Sequence, residues 1–110
     1  MLLDSFTFDV LVVGGGPAGY AVAMRAVQLG AKVALIEKHK LGGACLNYAC
    51  IPTKFLRYTV EILHNINKAA RYGISADVKS VDWPAVQGKR QNLIDSQREG
   101  LSGLLNAGVV

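Results

Sequence analysis

A short apolar run, a glycine-rich turn and a second apolar run constrain this 110-residue chain more than any other feature. Phe8 to Val13 (FDVLVV) is nearly continuous and rich in valine, the pattern of a strand buried on both faces of a parallel sheet. Gly14, Gly15, Gly16 and Pro17 follow at once. Ala18 to Leu29 then reads as a helix with Ala, Val, Met and Leu on its buried side, and Gly30 stands where a left-handed C-terminal cap belongs. Lys32 to Glu37 (KVALIE) is a second apolar strand. Strand, tight turn, helix and strand make a βαβ unit, whose crossover is expected to be right-handed.

Within that unit the glycines are spaced Gly14-x-Gly16-x-x-Gly19. In such a turn the first glycine permits the sharp reversal, and the second lets the backbone approach a pyrophosphate that a Cβ would strike. The third allows the helix to lie close on the strand. The helix start offers unpaired N–H groups and a partial positive charge to the diphosphate. Glu37 closes the second strand 23 residues after Gly14, where a carboxylate can accept hydrogen bonds from ribose hydroxyls and repel a 2′-phosphate. The pattern points to dinucleotide binding and does not by itself separate FAD from NAD.

The remainder changes character twice. Residues 40–53 hold Gly42-Gly43, both cysteines and Pro52, the mark of a loop with special backbone demands. From Thr53 to about Tyr72 a helical period returns on Phe55, Leu56, Thr59, Leu63, Ile66 and Ala70. Residues 73–82 are expected to form a loop or short hairpin. Asp82 is placed to cap a third helix with Pro84 in its first turn, and Val86, Leu93, Ile94, Leu101, Leu104 and Leu105 form its apolar stripe. Ala107-Gly108-Val109-Val110 reads as the start of another strand. A parallel sheet needs more strands and cover on both faces, so the chain is expected to be part of something longer.

The apolar fraction of 51% supports a small core, and a net charge of +4 is mild. Basic residues are scattered, with Lys89-Arg90 the densest pair, and no basic stripe is interleaved with aromatics. Nucleic acid is therefore not an expected partner. The N-terminus opens with Asp4 rather than a basic segment, and the longest uncharged stretch, Val10 to Met24, is too short for a bilayer and broken by glycines. A cytoplasmic location without membrane contact is expected.

Thiols are kept reduced in that compartment, so two cysteines close in sequence suggest redox or metal chemistry. Cys45 and Cys50 are separated by four residues. A disulfide needs Cα atoms about 4.4–6.8 Å apart, whereas a regular helix separates such positions by roughly 7.5 Å of rise. A bonded pair would therefore require broken helix, and Pro52 biases Ile51 away from helical geometry. A cysteine near a helix start gains thiolate character, and Lys54 lies one turn on. Zinc would need four ligands, and His39 and His64 complete no finger spacing; both read as surface residues. Two inert buried thiols are the other alternative.

Taken together, VVGGGPAGY, IEK and LGGACLNYACIPTK resemble the pyridine nucleotide-disulfide oxidoreductases over essentially the whole chain. The cysteine segment is closest to dihydrolipoamide dehydrogenases, with mercuric reductases near neighbours. The resemblance implies an α/β fold: the N-terminal part of a Rossmann-like FAD-binding domain covering 1–110, with a redox-active disulfide segment and two further helices. It implies FAD held by Gly14, Gly15, Gly16, Pro17, Ala18, Gly19, Glu37 and Lys38, with backbone contacts from Gly43 and Ala44 and with Lys54 tuning the flavin. Cys50 would be the flavin-proximal thiol and Cys45 the interchange thiol that attacks the substrate disulfide, the partner being a small-molecule disulfide or dithiol. NAD(P)H would enter through a later domain, and the complete protein would be a homodimer with a His–Glu acid–base pair. The implied activity is that of a flavin-dependent, NAD(P)-linked disulfide oxidoreductase. The 110 residues alone are expected to be inactive, since no second fingerprint follows residue 37. A truncated, non-catalytic chain that at most binds nucleotide or a partner shares every motif. The family usually has glycine where this chain has Ala49: a left-handed backbone there would cost roughly 1 kcal/mol, whereas in a right-handed one alanine would simply stiffen the turn.

Overall fold

The computed structural model describes residues 7–110, and the reading of residues 1–6, Asp4 included, lies outside them. β1 (Val10–Val13) and β2 (Val33–Ile36) pair in parallel, with Val10 opposite Val33 and Val13 opposite Ile36. Asp9 pins this register from both sides of its own Cα. Its N–H donates to the Lys32 carbonyl at 2.9 Å, and its carboxylate accepts the Lys32 N–H at 2.8 Å. β1 therefore starts at Val10 rather than at Phe8.

α1 (Pro17–Gln28) connects the strands and lies on the face of the sheet that carries Val12 and Val33. Proline at its first position has no N–H to leave unpaired, which is why the helix can start so abruptly after the glycines. Gly30 closes it at φ 89°, donating to the Val27 carbonyl at 2.9 Å, as its position in the sequence implies. Val12, Ala23, Val33 and Leu105 form the buried centre, with Tyr20, Met24 and Val27 packed around it. Leu29 is not part of it and remains exposed.

The expectation that the strands are buried on both faces is corrected. Leu11, Val13 and Ile36 stand on the face opposite α1 and are largely exposed, Val13 at 79%. In a parallel pair alternate residues project to opposite faces, and the described residues place α1 over one face only. The C-terminal strand, by contrast, is present in embryo. Val110 donates to the Val33 carbonyl at 3.1 Å and accepts from Leu35 N–H at 2.8 Å, while Lys32 and Ile36 carbonyls turn toward β1. Successive groups of β2 thus serve opposite edges, and residues 109–110 lie on the edge away from β1.

α2 (Gly43–Asn47) and α3 (Cys50–Lys68) follow, then a 3₁₀ turn over Ala69–Tyr72 and a loop without strand through residue 82. The stripe Phe55, Leu56, Thr59, Leu63 and Ile66 is half-buried as expected, but Ala69 replaces Ala70 on the packed side. α4 (Trp83–Leu105) runs back antiparallel to α3, because its last turn enters the core beside the sheet. Asp82 caps it, accepting Ala85 N–H at 3.0 Å, with Pro84 in the first turn. Ile94 and Leu105 of its stripe are buried, whereas Leu93 and Leu104 are exposed. Among the described residues no helix is long and apolar enough to cross a membrane.

Candidate functional site

Two glycine turns meet above the C-terminal ends of the strands. Gly14 adopts φ 102° and receives the chain from β1, its N–H on the Ile36 carbonyl at 2.7 Å. A Cβ on Gly19 would overlap the Gly14 carbonyl, which explains the third glycine as a close backbone approach of α1. Gly16 differs. Its φ is −77°, and the nearest atom to a Cβ there would be Gly43 Cα at 3.9 Å, an ordinary contact. Nothing in the described chain requires glycine at that position. Gly16 is the α1 N-cap and offers no side-chain acceptor to the first-turn N–H groups, Ala18 and Gly19 among them.

Glu37 has a structural task that its spacing did not reveal. One carboxylate oxygen accepts Gly15 N–H at 2.8 Å and the other accepts His39 N–H at 2.9 Å. These donors, Gly15 first, hold the carboxyl below its ordinary value of 4.5. A depressed pKa adds stability above the ordinary value and loses it as pH falls through the folded one. The advantage of wild type over Glu37→Gln in urea melts should therefore shrink as pH is lowered below 4.5. A difference that stays constant across that range would refute the carboxylate's role. Lys38 and His39 beside it are exposed.

The second turn is seated on the first. Gly42, at φ 98°, donates to the Gly15 carbonyl at 2.8 Å. Gly43, at φ 62°, presses so close to Gly16 that a Cβ on it would lie 2.8 Å from Gly16 Cα. From there α2 carries Cys45 and α3 opens on Cys50, and the two sulfurs are bonded. The Cα atoms lie 4.6 Å apart, within the disulfide range and far short of helical rise. The chain achieves this by breaking at Tyr48 and Ala49, whose N–H groups both turn back to the Ala44 carbonyl, at 2.9 and 2.8 Å.

One expectation is corrected here and one open alternative is decided. α3 begins at Cys50 rather than Thr53, so Ile51 is helical although a proline follows it. Pro52 falls in the first turn, where a helix N–H has no partner to lose, and its buried ring outweighs the bias on Ile51. Ala49 carries no left-handed penalty, since it sits at φ −122°, ψ −86°. Lys54 is one turn into α3 and exposed, and Ala44 is exposed on α2.

A polar latch that the sequence reading missed holds this turn. Asn47, 8% exposed, donates through Nδ2 to the Gly43 and Leu41 carbonyls at 2.9 and 3.0 Å and more weakly to Lys40 at 3.5 Å. Its Oδ1 accepts Arg98 Nε–H from α4 at 3.1 Å. Arg98 therefore fixes which way the amide faces. Removal in Asn47→Ala strands buried carbonyls and should cost roughly 1–3 kcal/mol. Urea melts would decide it, and a loss under about 0.5 kcal/mol, typical of surface sites, would mean the latch is idle.

A cavity of about 570 Å³ adjoins both turns, lined by Pro17, Gly42, Cys45 and Ile51 with apolar Tyr20 and Leu101 beside them. It reaches Cys45 and not Cys50. The structure thus brings together the glycines, Pro17, Glu37, Gly43 and both cysteines, and leaves Lys38 and Lys54 at the margin.

Comparison with known proteins agrees with this arrangement. The profile of the family described as pyridine nucleotide-disulphide oxidoreductase matches residues 8–110. A protein named dihydrolipoyl dehydrogenase from Chlamydia muridarum is 43% identical over 100 residues, covering 91% of this chain and 22% of that protein. One of the same name from Bacillus subtilis is 45% identical over 96 residues, 86% of this chain and 21% of its own length. Another from Zymomonas mobilis is 41% identical over 98 residues, 89% and 21% respectively. The chain spans about a fifth of the length of these relatives. With its glycine fingerprint, its bonded cysteines and a family match running from Phe8 to its last residue, the chain belongs to the pyridine nucleotide-disulphide oxidoreductases.

Proposed function

We propose that this chain forms the first part of an FAD-binding domain, residues 1–110, in a flavin-dependent disulfide oxidoreductase of the dihydrolipoamide dehydrogenase type. The observation that carries this reading is the joining of the two turns. The Gly42–Gly15 hydrogen bond and the Gly43–Gly16 contact make the dinucleotide turn and the disulfide segment one rigid site.

Residues Gly14 to Gly19 suit a diphosphate at the start of α1, and the open space at the Gly16 Cβ position is a cradle that a side chain would fill. Glu37 keeps lone pairs for a ribose hydroxyl while bracing Gly15, and Lys38 stands next to it. Gly43 lies against the same turn and Ala44 follows it at the start of α2, so their backbone is proposed to contact the FAD; Lys54 supplies a positive charge one turn beyond Cys50. Bound FAD would supply the two-electron carrier between NAD(P)H and the cysteine pair. Reduction of the Cys45–Cys50 bond takes up two electrons and two protons, leaving two thiols. Cys50, first residue of the 19-residue α3, is then favoured as thiolate by the positive end of the helix. Cys45 faces the larger cavity, which supports its role as the thiol that exchanges with a small disulfide or dithiol substrate. We propose a homodimer for the whole protein, and no turnover from these 110 residues alone, because the nicotinamide must be held by residues beyond them.

FAD titration by fluorescence tests the reading. Glu37→Ala should bind about tenfold more weakly or worse, the effect of one hydrogen bond to a charged group. Gly16→Ala should keep wild-type stability, having no contact to offend, yet lose FAD. Unchanged affinity in both variants would place the nucleotide elsewhere.

A further inference from the structure

We infer that the cleft behind the disulfide turn, between α2, α3 and α4, binds a small oxyanion of the phosphate class. The cavity there measures about 240 Å³ and is lined by Lys40, Arg90 and Arg98 together with Asn47, Gln91 and Pro52. Three cations meet in one concave space, and no carboxylate lines it. Arg98 is partly accounted for: it donates to Asn47 and pairs with Asp95 at 3.0 Å, the single ion pair among the described residues. Lys40 and Arg90 have no such partner among them. Arg90 is half-buried, and its Nε is cut off from solvent without an acceptor.

Buried polar groups are nearly always satisfied, and a guanidinium donor in this state calls for an acceptor that the described chain does not provide. Like charges brought together over an apolar floor repel, and Ile94 and Pro52, both buried, supply that floor. An oxyanion answers both conditions. The arginine fork offers paired N–H donors to tetrahedral oxygens and the lysine adds a mobile charge, while the Gln91 amide already donates to Asp95 Oδ1 at 3.0 Å. A carboxylate would satisfy one donor pair but would neutralise less of the surplus charge. The cavity shares no residue with the Gly14–Gly19 turn, so the anion is not the diphosphate of the dinucleotide. It does share Asn47, which places it directly behind the latch on the cysteine segment.

The test is a titration of the isotope-labelled full chain with inorganic phosphate, at ionic strength held constant with chloride, followed by NMR. Saturable shifts are expected at the Arg90 Nε–H and at the Asn47 side-chain amide. Lys40→Gln and Arg90→Gln should each weaken binding by about tenfold, the loss of one charge-assisted contact. Lys40 is exposed, so its variant keeps the fold even if the Arg90 variant does not. The inference is overturned if chloride alone reproduces the shifts, if they cluster on residues 14–19, or if Lys40→Gln binds as tightly as wild type. Acetate binding tighter than phosphate would also overturn it, assigning the cleft to a carboxylate.

Discussion

Replacing Gly19 by valine is expected to abolish folding. The clash begins at the Cβ, which would overlap the Gly14 carbonyl and also touch Val12 at 3.5 Å, so no rotamer relieves it. One partner is backbone already committed by the φ of 102° at Gly14, and the other is a core side chain. Separating α1 from the strands would relieve the overlap only by opening the buried cluster of Val12, Ala23 and Val33. Losses above about 4 kcal/mol are exceptional and arise from backbone strain and core disruption of this kind. Domains of this size hold roughly 0.05–0.15 kcal/mol per residue, so a loss of that size takes about a quarter or more of the total, and most or all of it at the lower end of stability. Gly100→Ala on α4 is the control. A Cβ there meets nothing within 4 Å, and a helix-interior glycine-to-alanine change stabilises by about 0.5–1 kcal/mol. Urea melts should show wild type between these extremes. A Gly19→Val chain with a cooperative transition near wild type would show that the turn tolerates a side chain.

What the sequence disclosed and what it hid divide along range. The βαβ order, the Gly30 cap and the Asp82 cap depend on neighbours a few residues away, and each is where the sequence puts it. The start of α3 was misjudged because the rule for a residue before proline is local. The disulfide and the burial of Pro52, which outweigh it, are not. Burial of both strand faces was inferred from composition alone. Leu11 and Val13 have the character of covered residues, but their cover is not among the described elements.

The candidate site follows the same division. Its glycines and cysteines were legible because their spacing has a steric or covalent meaning. The bracing of Gly15 by the Glu37 carboxylate was not, since the two lie 22 positions apart. The Arg98–Asn47 bond spans 51 positions and joins residue types that are common on surfaces, so no periodicity could have exposed it. The nearest signal was Asn47 itself, a polar residue between two cysteines. In the sequence Arg90 stands out only as half of the densest basic pair, and only the packing of α4 against Pro52 and Asn47 shows its half-buried, unpaired Nε.

In the proposed function a bound flavin and the cysteine pair exchange electrons. The most direct measurement is an anaerobic dithionite titration of the flavin-loaded protein, following flavin absorbance and free thiols together. A disulfide is a two-electron couple, so wild type should take up about two more electron equivalents per flavin than Cys45→Ser or Cys50→Ser. Two thiols should appear as the extra electrons enter, and none in the variants' titrations beyond the one cysteine each retains. Equal uptake by wild type and both variants, with the disulfide intact while the flavin is bleached, would contradict the account.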